Sequence, residues 1–280
     1  YIKKNSIDYI FLFDYKSLFA FRNLNFKNKI SFPLDPVFDH KMWAEVQNRR
    51  LIKKIIYYFF LTIHYYKLKN VHNYLVNKCR YIITFTDSDI QKYKKNFRSN
   101  FLHLNLPHKD LRINLKVKKR EDNKIQIVHA GSFDNKMTPA SLLWIGEKIV
   151  PLVLKSNLKN KFEFILIGNK LPDENIKNLF SKVKVNYIKF VSEKKYYSII
   201  KNSDAFVYAY PISIGSRMNR ILGALSVPAA IVCTNSILES HNNLKNNFNV
   251  LSSNNPDQFL KNIIKLKKNK KFSSKIKKNA

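Results

Sequence analysis

The second half of the chain has a regular alternation of short apolar runs and periodic segments. Ile125–His129 (IQIVH), Phe162–Ile167 (FEFILI), Val185–Phe190, Ala205–Tyr208 (AFVY) and Ala229–Cys233 (AAIVC) read as five buried strands. Between them, Thr138–Lys155, Asp173–Lys182, Glu193–Lys201 and Arg217–Leu225 read as helices, and Pro256–Leu266 closes the series. Leu142, Ile145, Ile149 and Leu152 recur at spacings of 3 and 4, so they share one helix face, and Pro151 is expected to kink that helix. Continuous apolar strands separated by helices predict a parallel sheet covered on both faces. The last segment, Lys261–Ala280, has nine Lys and no acid; it reads as an amphipathic helix, then a solvated tail.

The first half is less regular. Tyr9–Asp14, Lys29–Pro33 and Tyr81–Phe85 read as strands, and Trp43–Tyr66 as a long aromatic helix. A further helix starts at Asp87–Tyr93, with Asp87 or Ser88 as its cap. The charged, aperiodic stretch from Leu106 to Asn123 separates the halves. The expected organisation is residues 1–106 as a partial first domain, 107–123 as a linker and 124–280 as a second domain.

The net charge of +32 suggests nucleic acid, but only nine of the 51 basic residues are Arg. Abundant Lys, Asn, Ile, Phe and Tyr point to A/T-rich codons, and the Arg enrichment of nucleic-acid readers is missing. Nucleic acid is therefore not an expected partner. The charge is compatible with peripheral contact to an anionic membrane. The longest apolar run, Ile55–Ile63, has nine residues, far short of the ~20 that span a bilayer. Cys79 and Cys233 lack metal-ligand spacing and read as core residues of a reducing compartment. The expected location is the cytoplasm, with the inner face of the membrane as the site of any peripheral contact. The chain begins at Tyr1, which reads as a fragment or a processed chain.

Candidate chemistry lies where strands end. Ala130-Gly131-Ser132 follows the first strand of the second half, where a glycine lets backbone N–H groups approach a phosphate. Gly215-Ser216-Arg217-Met218-Asn219-Arg220 follows the strand AFVY; Arg217 and Arg220, three apart, share a helix face and can point cationic forks at a diphosphate. In the first half, Asp39 and His40 follow the strand KISFP, where acid–base side chains could face a substrate; a helix cap and a surface histidine are the plainer reading there. His129 reads either as a core histidine or as a donor contact.

These motifs carry a resemblance. The order VHAGSFDN, KFEFILIGN, VNYIKFVSE, YYSIIKNSDAFVYAY and GSRMNRILGALSVPAAIVCTN, over about Lys124–Lys271, is similar to the C-terminal domain of the retaining GT-B glycosyltransferases. TFTDSDIQKY resembles the end of that family's N-terminal domain. The resemblance implies an α/β protein of two Rossmann-like domains, the N-terminal one incomplete. It implies transfer of a sugar from a nucleotide diphosphate sugar to a saccharide or lipid-linked acceptor, with retention and with no metal ion or cofactor. Gly131 and Ser132 then fall near the donor phosphates, with Lys136 standing in for an Arg that relatives carry after the glycine. Arg217, Asn219 and Arg220 face the diphosphate. Asp39 and His40 fall where an N-domain residue contacts sugar or acceptor, and Asp204 is structural. The pattern departs at Gly215 and Gly223, where relatives carry glutamates, the second binding the donor ribose. A non-catalytic binding protein and a sugar-nucleotide epimerase of the same fold therefore stay open as alternatives.

Overall fold

A computed structural model describes residues 7–32, 76–95, 98–104, 123–134, 137–210, 219–239, 241 and 243–280, with isolated positions between 55 and 70. The chain divides into two compact units, one built on Tyr1–Leu106 and the other on Pro107–Ser213 and Met218–Ala280.

The first unit contains β1 (Ile10–Phe13), α1 (Asp14–Ala20), β2 (Lys29–Phe32), β3 (Tyr81–Thr84), α2 (Asp87–Lys94) and β4 (Asn100–His103). The strands pair in parallel, in the order β1-β2-β3-β4. Leu12, Leu18, Val76, Cys79, Ile82 and Tyr93 form its core. The cap of α2 is Thr86, not Asp87 or Ser88: Thr86 is extended and its Oγ1 accepts from the Asp89 N–H at 3.1 Å. Asp87 and Asp89 instead occupy the first turn, where negative charge complements the helix dipole. Strand β4 was not expected; most of its side chains are exposed, so it has no apolar alternation to read. The expected helix over Trp43–Tyr66 falls largely outside the described residues; the positions described within it, such as Ile55 and Phe59, are helical.

The second unit runs β5 (Ile125–Ala130), α3 (Met137–Trp144), a π-helical segment (Ile145–Ile149), α4 (Val150–Lys155), β6 (Phe162–Gly168), α5 (Glu174–Phe180), β7 (Lys184–Lys189) and α6 (Glu193–Asn202). It continues with β8 (Ala205–Tyr208), α7 (Asn219–Leu225), β9 (Ile231–Cys233), α8 (Asn235–Glu239), β10 (Leu251–Ser252), α9 (Pro256–Lys268) and α10 (Lys270–Asn279). Six parallel strands pair in the order β10-β9-β8-β5-β6-β7. Numbered within the unit, this is 6-5-4-1-2-3, the doubly wound order. Crossovers in opposite directions from β5 group α3, the π segment, α4 and α5 on one face and α6 with α7 on the other, and α9 returns to pack beside the π segment and α4.

Three expectations are corrected here. The break in the α3–α4 helix is a π segment preceding Pro151 rather than a kink at it. Proline has no N–H for the Glu147 carbonyl and its ring would crowd that oxygen, so the helix widens one turn earlier. Strand β7 is an edge strand with largely exposed or half-buried side chains, and the very short β10 makes a sixth strand. The C-terminal residues are not a solvated tail: α10 buries Ile276 in the main core, with Phe272 packed against it. Among the described residues no helix is long and apolar enough to cross a membrane.

Candidate functional site

The second sheet has its switch point at β5, between β6 on one side and β8 on the other, and open α/β sheets bind ligands at the carboxyl end of that point. Gly131 leaves β5 there, its N–H donating to the Ile167 carbonyl at 2.9 Å. The turn that follows is fastened to the end of β6. The Asn169 side-chain oxygen accepts from the Phe133 N–H at 2.9 Å and from Ser132 Oγ at 3.3 Å. The Asn169 amide donates to Asp134, whose other oxygen pairs with Lys170 Nζ at 2.9 Å. Hydrogen bonds from Lys170 and then Asn169 hold the Asp134 carboxyl below its usual pKa, and Asp134 raises that of Lys170.

Gly168 allows this closure. A Cβ there would lie 1.9 and 2.1 Å from two ring carbons of the buried Phe133. Asn169 was not singled out from the sequence, although an amide directly after the strand FEFILIG is a signal of a side chain placed at the sheet's carboxyl edge.

On the other side of the switch point, hydroxyls fix the end of β8. Ser141 Oγ accepts from the Ala209 N–H at 3.0 Å and pairs with His129 Nε2 at 2.9 Å. Thr234 Oγ1 accepts from the Tyr210 N–H at 2.9 Å, and Ser236 Oγ donates to the Tyr210 carbonyl at 2.7 Å. His129 is buried and its ring stacks on Tyr208 at 5.4 Å between centroids, the geometry of a core histidine. The backbone of Ala209 and Tyr210 is thus held by side chains just before residues 211–218.

Of the residues expected from sequence, the structure places Gly131 and Ser132 at the switch point. Asn219 and Arg220 are the first two residues of α7, and their side chains lie outside the description. Asp39, His40, Lys136 and Arg217 lie outside the described residues. Asp204 sits at the opposite, amino end of the sheet. It accepts from the Gln126 N–H at 2.8 Å and pairs with Lys267 at 3.5 Å, tying β8 to β5 and to α9. An Asp-x-Asp triplet, Asp87-Ser88-Asp89, opens α2 in the first unit, with Asp87 paired to His103 at 2.9 Å. Among the described residues no group of three or more His, Cys, Asp or Glu converges as a metal site.

Two Rossmann-like units with parallel sheets, the second in doubly wound order, define the fold of the GT-B glycosyltransferases. The sequence matches no defined protein family and no curated protein. Similar solved structures include the sucrose-phosphate synthase of Thermosynechococcus elongatus, at 10% identity and TM-score 0.68, covering 100% of this chain and 69% of that one. TarM is similar at 14% identity and TM-score 0.66, covering 96% of this chain and 49% of its own. HepE of Anabaena, solved with UDP-glucose, is similar at 11% identity and TM-score 0.63, covering 96% and 72%. The chain therefore spans about half of TarM and about two thirds of the synthase.

Proposed function

We propose that the chain is a glycosyltransferase, or the greater part of one, that moves a sugar from a nucleotide diphosphate sugar to a saccharide or lipid-linked acceptor, with retention and without a metal ion. The observation that carries this reading is Gly131 at the switch point of a doubly wound sheet, followed by a turn braced by Asn169. HepE, which has the same fold, has been solved with UDP-glucose.

In this reading Gly131, with no side chain, lets the diphosphate approach the turn, where Ser132 meets it, and Lys136, Arg217 and Arg220 supply positive charge as it leaves. Asn219 adds an amide donor. Asp39 and His40 work on the acceptor side. The departing phosphate oxygen accepts the acceptor's hydroxyl proton, so no separate base is required. The domain limits are those of the sequence: 1–106, 107–123 and 124–280. The enzyme works in the cytoplasm, at the inner membrane face when its acceptor is lipid-linked. The test is binding and hydrolysis of UDP-glucose and GDP-mannose. Arg217→Ala and Arg220→Ala should each weaken binding about tenfold or more, the loss of one charge-assisted contact; unchanged binding in both would refute the site.

The glycines at 215 and 223 favour a second reading, a non-catalytic protein that kept the donor fold, because the carboxylate that grips ribose in relatives is missing. Donor binding without hydrolysis or transfer would select it.

A further inference from the structure

The amino end of the second sheet, opposite the switch point, carries a strongly basic surface. Residues 240–280 hold ten Lys, no Arg and one acid, Asp257. Helices α9 and α10, joined by Asn269 alone, repeat one spacing: Lys261, Lys265 and Lys268 on α9, and Lys271, Lys275 and Lys278 on α10, each trio at i, i+4 and i+7. All six are exposed, and each trio shares one helix face. The other sides of the helices face the protein. Phe259 and Ile263 of α9 and Ile276 of α10 enter the core, Lys267 pairs with Asp204, and Lys277 Nζ donates to the Ser203 carbonyl at 3.3 Å. Phe272 lies between the two rows, with Lys265 Nζ 4.0 Å from its ring centre. Lys271, Lys275 and Lys278, with Phe272 and Ser274, line an open depression of about 530 Å³.

A turn beside α10 adds an apolar tip. The Asn249 side-chain oxygen accepts from the Lys245 N–H at 2.8 Å, and its amide donates to the Asn243 carbonyl at 2.8 Å. Asn247 takes a φ of 61°, a left-handed conformation that Asn tolerates. This frame presents Phe248 50% exposed rather than burying it. Asn279 of α10 donates to the Phe248 carbonyl at 3.0 Å, which fixes the ring's backbone beside the lysines. The turn precedes β10, and Ser203 and Asp204 precede β8, so both sets of contacts lie at the amino end of the sheet, away from Gly131. Like charge keeps a second copy of the chain off this surface. Nucleic acid is met best by Arg forks, and residues 240–280 have none. Rows of lysine around a projecting phenylalanine complement an anionic bilayer: the ammonium groups meet the head-group phosphates and the ring enters the boundary with the acyl chains.

We propose that the lysine rows of α9 and α10, with Phe248, dock the second unit on a bilayer of anionic lipid. This gives the membrane contact of the reading above its surface, and donor binding does not depend on it. The test is flotation of the chain with vesicles of phosphatidylcholine alone and of phosphatidylcholine with about one third phosphatidylglycerol. Wild type should float only with the anionic vesicles, and less as salt rises. A lysine close to such a surface contributes a factor of about five, so the triple variant Lys271→Gln, Lys275→Gln, Lys278→Gln should bind about a hundredfold more weakly. Phe248→Ser should lose about tenfold while keeping the salt dependence of wild type. Lys189, Lys194 and Lys195 are exposed at the other end of the sheet; changing all three to Gln removes the same charge and should weaken binding less than about threefold. All these positions are exposed, so the variants should melt as wild type does. The proposal is overturned if wild type does not float with anionic vesicles, if the α10 triple variant floats as well as wild type, or if the two triple variants weaken equally, which would make the attraction one of net charge. Double-stranded DNA or RNA that displaces the chain from the vesicles would give the surface to nucleic acid and overturn it as well. If calorimetry shows that wild type floats but binds neither UDP nor GDP, the donor reading fails and this surface stands.

Discussion

Replacing Gly168 with alanine should damage the second unit through one side chain, Phe133. The added methyl would sit 1.9 and 2.1 Å from two ring carbons, against ordinary carbon contacts of about 3.5–4.0 Å. The ring must therefore retreat by roughly 1.5–2 Å. The Lys170 carbonyl, 3.1 Å from the same methyl, leaves the backbone little room to yield instead. Phe133 is part of the buried core, so its retreat disturbs packing as well as the turn. Overpacking of this kind costs about 1–3 kcal/mol, and complete expulsion of the ring adds the ~1.5–3 kcal/mol of its burial. We expect a loss of about 2 kcal/mol or more, read as a lower urea midpoint with an unchanged slope. A double-mutant cycle isolates the cause. Phe133→Ala should cost at least ~1 kcal/mol less in the Gly168→Ala background than in wild type, because the clash is then gone. Additive effects, or a Gly168→Ala protein within about 0.5 kcal/mol of wild type, would show that the ring does not need the glycine.

Three further outcomes follow from other contacts. Ser141→Ala removes the acceptor of the Ala209 N–H and the partner of His129 in a fully buried setting, and should cost about 1–3 kcal/mol in chemical unfolding, with Ser141→Thr costing less if the hydroxyl is the cause. Asp204→Ala takes away the acceptor of the Gln126 N–H and the partner of Lys267, for a loss of about 2 kcal/mol at neutral pH that Asp204→Asn should only partly restore. Burial pushes the His241 pKa down to about 4 from 6.5. The unfolded chain then binds the proton first as pH falls, so stability is whole above pH 6.5 and declines towards pH 4 by roughly 3 kcal/mol. His241→Phe should flatten that part of the stability–pH curve; an unchanged slope would show that another group titrates there.

The second unit was legible because its strands are continuous apolar runs buried on both sides, as in IQIVH and FEFILI, and such runs leave few alternatives. Where burial is partial the pattern fades. β4 exposes most of its side chains, and β10 has two residues. The C-terminal helix is held by Ile276 and Phe272 among lysines, so composition suggested solvent where the fold supplied a core contact. For the candidate site, Gly131 was visible from its place after a strand. The side chains that brace the two sides of the switch point were not: Asn169 at the turn after Gly131, and Ser141, Thr234 and Ser236 at the end of β8, come from distant parts of the chain, and no spacing in the sequence connects them. The cap of α2 was misplaced by one or two residues because TDSD offers several capping side chains, and the backbone angle of Thr86 decides among them.

Every paired strand in both sheets is parallel, so no two neighbours are joined by a hairpin. The separation is greatest at β5, where Gln126 waits for Asp204, 78 residues later. During synthesis β5 can gain β6 on one side long before β8 emerges to cover the other. For that interval an apolar strand has an open edge, ready to pair with any similar strand nearby. Chains of such high contact order fold slowly and are exposed to aggregation meanwhile. Production of this protein should therefore respond more to slower translation and to chaperones than to changes on its charged surface.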